Sequence, residues 1–103
     1  MTDHYTIPDR VPTDVIASIT NTALRVYLER NEWAVADRWS AGGHQFCMHS
    51  RNGYQVDMPD GDTPTDVPMM AFNLNALISA DNRRSADVIA ELQGIVASLA
   101  GPA

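Results

Sequence analysis

The segment HQFCMHSRNGYQVDMP, His44 to Pro59, constrains this chain more than any other. Its two halves alternate apolar and polar side chains with a period of two, the signature of half-buried strands. Asn52-Gly53 stands between them. A two-residue type I′ hairpin turn needs positive φ at both central positions, which Asn and Gly adopt at least cost. That turn sets the pairing: Arg51 opposite Tyr54, His49 opposite Val56, Cys47 opposite Met58. Upstream, Gly42-Gly43 forms a second two-residue turn. WAVADRWS, Trp33 to Ser40, then becomes the first strand, with Trp39 opposite Phe46 and Asp37 opposite Met48. One sheet face carries Trp33, Val35, Trp39, Phe46 and Met48. The other carries Ala34, Ala36, Cys47, Tyr54, Val56 and Met58. An antiparallel sheet backed by helices on one side normally has a polar second face. Two apolar faces call for helices on both sides or for a partner on one.

The flanking segments are helical. Thr13 is an N-cap residue with Asp14 in the first turn, and Ile16, Ile19, Ala23, Leu24, Val26, Tyr27 and Leu28 extend one helix to about Asn31. Arg25 and Glu29 stand four apart on its wet face. Residues 1–12, with Pro8 and Pro12, read as an extended arm. After the acidic linker PDGDTPTD, Thr65 or Asp66 caps a second helix with Pro68 in its first turn. Val67, Met70, Ala71, Leu74, Leu77 and Ile78 make its stripe, and Met69, Phe72 and Ala76 lie off it. ADNRRS ends this helix. Ser85 caps a third, in which Val88, Ile89, Leu92, Ile95, Val96 and Leu99 face inward and Gly94 marks a weak or closely packed position. The expected fold is α+β: a helix, a three-stranded antiparallel sheet, then two helices, in a single domain over residues 13–100.

Charge narrows the function classes. The 103 residues hold 13 acidic side chains against seven arginines and no lysine, for a net charge of −6. Phosphate neutralisation supplies most nucleic-acid affinity, so this balance argues against an RNA or DNA partner. Arginine as the sole strong base fits a GC-rich bacterial or phage genome. No apolar run reaches the length of a membrane span, and the polar, acidic N-terminus is not a signal peptide, so a cytoplasmic protein is expected.

No motif makes a metal or catalytic centre. His44, Cys47 and His49 have the spacing H-x-x-C-x-H, but in a strand His44 points away from the other two. Asp57, Asp60, Asp62 and Asp66 lack the spacing and the closing glutamate of a calcium loop. The last helix opens SADVIAEL, without the basic or amide side chains of a recognition helix. Cys47, the only cysteine, excludes an internal disulfide. No cofactor and no metal are expected.

One resemblance has sequence content. The helix-β-β-β-helix layout is that of double-stranded-RNA-binding domains and of the HicA toxins, small messenger-RNA-cleaving ribonucleases. Leu28, Trp33, Arg38, the GGH of Gly42 to His44, the NGY of Asn52 to Tyr54 and the VDMP ending at Pro59 follow the HicA order. The similarity covers roughly residues 14–75. It implies a catalytic His44, acting as general base or acid on a phosphodiester. Glu32 and Gly43 stand where the family has glycine and serine.

The residues themselves favour another function: a small acidic protein-binding module that meets a protein partner or a second copy of itself through Trp33, Trp39, Phe46 and Met48. An accessory subunit, an antitoxin or immunity protein, and a phage-encoded inhibitor all fit that description. A HicA-like ribonuclease using His44 is the alternative.

Overall fold

A computed structural model describes residues 11–60 and 65–100. The expected N-terminal arm lies outside the described residues apart from Val11 and Pro12. In chain order the elements are α1 (Thr13–Ala17), α2 (Asn21–Arg30), β1 (Ala34–Ala41), β2 (His44–Arg51), β3 (Tyr54–Pro59), α3 (Val67–Ala80) and α4 (Ser85–Leu99). The fold is α+β, with an N-terminal helical segment, an antiparallel sheet in the order β1-β2-β3, and two C-terminal helices.

Both turns form as the glycines and asparagine require. Asn52 and Gly53 have φ of 54° and 85°, and Gly42 and Gly43 have 58° and 82°. The register follows: Trp39 pairs with Phe46, Asp37 with Met48, Cys47 with Met58, His49 with Val56 and Arg51 with Tyr54. The tip of the second hairpin is docked on the end of α3. Asn52 Nδ2 donates to the Ala80 carbonyl at 2.7 Å, and Arg51 pairs with Asp81 at 2.8 Å.

The first half of β1 departs from strict alternation. A β-bulge lies between Val35, which pairs with His49, and Asp37, which pairs with Met48. The extra residue, Ala36, reverses the side on which Val35 points. Val35 therefore joins the Cys47 and His49 side and leaves the Trp39 side. Trp33 precedes the strand and is buried in the core. The cause is the end of α2. The Trp33 N–H donates to the Leu28 carbonyl and the Glu32 N–H to that of Glu29, while Glu32 takes a φ of +63°. This is a Schellman motif, which turns the following apolar residue back onto the helix it closes. The same motif closes α3, with Arg83 donating to Ile78, Asn82 to Ser79, and Asn82 at a φ of +52°.

The first helix is in fact two. Thr20 adopts an extended conformation and its hydroxyl accepts the Ala23 N–H at 3.1 Å, so a new helix starts at Asn21. Ile16, Ile19 and Ala23 keep helical spacing across this corner because Ile19 remains buried within it. Thr13 and Ser85 do not cap. Each is the first residue of its helix, after Pro12 and Arg84. Asp66 does cap α3, accepting the Met69 N–H at 2.9 Å. Gly94 has no atom within contact distance of the position a Cβ would take, so close packing does not explain it.

The core gathers Leu24, Tyr27 and Leu28 of α2, Trp33, Val56 and Met58 of β3, Leu74 and Leu77 of α3, and Val88, Leu92 and Ile95 of α4. The helices thus cover the sheet side that bears Cys47, Val56 and Met58, most densely at β3. All eight residues of β1 are exposed. The two outer strands end differently. Asn73 of α3, fully buried, reaches the free edge of β3: its Nδ2 donates to the Asp57 carbonyl at 2.8 Å and its Oδ1 accepts the Asp57 N–H at 3.2 Å. The outer edge of β1 carries the bulge and the charges of Asp37 and Arg38.

Candidate functional site

Directly paired residues in an antiparallel sheet project to the same side. On the side away from the core, the register stacks two rows. One is Trp39, Phe46 and Pro59; the next is Asp37, Met48 and Asp57. Trp39 and Phe46 stack across the strands, with ring centroids 5.7 Å apart and planes inclined by 16°. Trp39 remains 38% exposed, and Phe46 and Met48 are half-buried. The aromatic pair forms one wall of a groove of about 390 Å³, closed by Met58, Pro59 and, from α3, Met69. Met69 is exposed, and so is Phe72 one helical turn further on.

The rim of this groove is acidic. Asp57 and Asp66 line it. Asp37, in the row beside the aromatic pair, accepts the N–H of Arg38 at 2.8 Å. Asp57 Oδ1 is buried and has no hydrogen-bond partner among the described residues, while its Oδ2 accepts from Gln55 at 3.4 Å. The arginines of the sheet, Arg38 and Arg51, pair with Cys47 and Tyr54 and so project to the helix side. The alternation of the strands has sorted acids onto the open side and arginines onto the covered one.

Of the four aromatic and methionine positions singled out by sequence, the structure brings Trp39, Phe46 and Met48 together and places Trp33 in the core. Met69 joins the first group from α3 as a wall of the same groove. Its signal was present as an apolar residue off the α3 stripe, but periodicity alone does not say which sheet surface a helix flanks.

His44 opens β2 opposite Ala41, exposed, at the hairpin end of the open side. Cys47 is buried on the other side, where loss of solvent pushes its thiol pKa up. His49 lies beside it, half-buried, with Nδ1 lacking a hydrogen-bond partner among the described residues. Burial and then the positive charges of Arg38 and Arg25 hold its imidazole below the ordinary range. Among the described residues, no three His, Cys, Asp or Glu side chains converge as a metal site. No helix there is long and apolar enough to cross a membrane.

A second, polar cleft of about 550 Å³ lies where α2 and α3 end. Arg83 donates to Glu91 at 2.7 Å and to the Tyr27 hydroxyl at 2.9 Å, with its guanidinium 5.8 Å from the Tyr27 ring centre. Arg51 pairs with Asp81. Burial raises the Tyr27 pKa, against the opposing charge of Arg83. Hydrogen bonds to Glu91 and Asp81 raise those of Arg83 and Arg51. These cations sit at helix C-termini, where the backbone carries partial negative charge, and each meets a carboxylate. The arrangement fastens helix ends together.

No family model matches this chain, and no curated protein or solved structure is detectably similar to it.

Proposed function

We propose that this chain is a protein-binding module whose contact surface is the open side of the sheet, centred on Trp39, Phe46 and Met48. The observation that carries the reading is the stacked Trp39–Phe46 pair, which stands on the side the helices do not cover and borders a groove that runs to the start of α3. Aromatic and methionine side chains at the centre of a patch, with charge at its rim, are the composition of interface cores. The groove gives such a contact a concave feature to anchor in.

The alternative, RNA cleavage with His44 as general base or acid, shares the same side of the sheet. Asp37 and Asp57 beside it have the sign that repels a phosphate backbone, which favours the binding reading. Loss of RNA cleavage in His44→Ala, from a protein that otherwise cleaves structured RNA, would reverse that preference.

A photo-crosslinking residue in place of Trp39, compared with one in place of Leu99, tests the module. Leu99 is a similarly exposed apolar side chain on α4. In the cells that make this protein, position 39 should yield a discrete protein adduct that position 99 does not. Equal labelling at both, or none at either, removes the proposal.

A further inference from the structure

We infer that the occupant of the open side is a basic protein segment carrying a large apolar anchor, and not a second copy of this chain. The inference rests on the binding reading above and specifies its partner. Three observations carry it. The apolar centre is framed by carboxylates, with Asp37 and Asp57 flanking Met48 and Asp66 at the lip of the groove. The accessible oxygen of Asp57, Oδ2, has only a long 3.4 Å hydrogen bond from exposed Gln55, so it can accept from an incoming ammonium or guanidinium. The sheet's own arginines project to the other side and leave the open one without compensating cations from the strands. An isologous contact between two copies brings the same patch against itself. Asp37 and Asp57 of one copy would then crowd those of the other, between molecules that each carry a net charge of −6. A segment with leucine, phenylalanine or tryptophan flanked by lysine or arginine satisfies the groove and the rim together.

A random peptide library displayed on phage and selected on the purified protein provides the test. The enriched peptides, resynthesised, are titrated against wild type, Phe46→Ser and the Asp37→Asn/Asp57→Asn double variant. The expected peptides join one or two large apolar residues to lysines or arginines. Their affinity is lost in Phe46→Ser and falls about ten-fold in the double variant at low salt, the gap closing at high salt. Uncharged or acidic peptides that need Phe46 but ignore the aspartates overturn the basic partner and leave the binding reading standing. No enrichment, or peptides that bind Phe46→Ser equally well, overturns both. A concentration-dependent dimer that Phe46→Ser dissociates assigns the face to a second copy and overturns the inference. If the double variant does not fold, the salt titration on wild type decides: affinity independent of salt contradicts it.

Discussion

Glu32 holds a backbone conformation that suits glycine. At a φ of +63° it ends α2 and turns Trp33 into the core. The left-handed region costs a residue with a Cβ about 1 kcal/mol or more. Glu32→Gly keeps both closing hydrogen bonds and relieves that strain, against the greater freedom glycine gives the unfolded chain. The expected net gain is about 0.5 kcal/mol, read as a higher denaturation midpoint; a drop would mean that the Glu32 side chain itself supports the turn. The helix end near Asn31 was legible, but the inward turn of Trp33 was not, because Trp33 continues the alternation of β1 and glutamate announces no left-handed turn. His49 is the other residue with a measurable consequence. Its folded pKa lies below its ordinary value of about 6.5, chiefly through burial, with Arg38 and Arg25 adding to the shift and Asp60 and Glu29 opposing it. The unfolded chain therefore takes up this proton first. Stability is full above about pH 6.5 and declines as pH falls from there toward the folded pKa. Urea titrations at about pH 5 and about pH 7.5 should show that decline in wild type and a smaller one in His49→Gln. An equal decline in both would place the titration elsewhere.

At the scale of elements, the sheet's two edges are treated differently. The edge of β3 is closed by one side chain, since Asn73 satisfies both backbone groups of Asp57 from within the core. Asn73→Ala leaves an N–H and a carbonyl without partners, at about 1–3 kcal/mol for each that stays dry. We expect a loss of about 2–4 kcal/mol in denaturant unfolding and faster amide exchange at Asp57. Unchanged exchange there would show that water substitutes for the side chain. The hairpins were legible because Asn52-Gly53 and Gly42-Gly43 have narrow conformational requirements and because the strands alternate. The bulge at Ala36 was not, since an inserted alanine leaves no compositional mark, and it moved Val35 to the opposite side. The break between α1 and α2 was hidden for a related reason. Ile19 packs inward at the corner, so the apolar spacing runs through a change of direction that only Ser18 and Thr20 hint at.

The whole molecule places its helices on one side of the sheet and its unused aromatic surface on the other. Sequence alternation foretold two apolar faces, but Trp33 and Val35 left the one that stays open, which keeps only Trp39, Phe46 and Met48 between aspartates; which face the helices take depends on long-range packing that no local pattern encodes. An open contact surface leaves Trp39 and Phe46 dispensable to the fold. A cross-strand aromatic pair at the surface is worth about 0.5–1.5 kcal/mol beyond the area its rings bury, whereas truncating a core aromatic costs about 3–5 kcal/mol for each ring. Denaturant unfolding of the Trp39→Ser/Phe46→Ser double variant separates these directly. A loss below about 3 kcal/mol, the pair term plus the partly buried area of the two rings, with an unchanged denaturant slope, is what an open contact surface predicts. A loss above about 3 kcal/mol would make the pair part of the core and contradict the account.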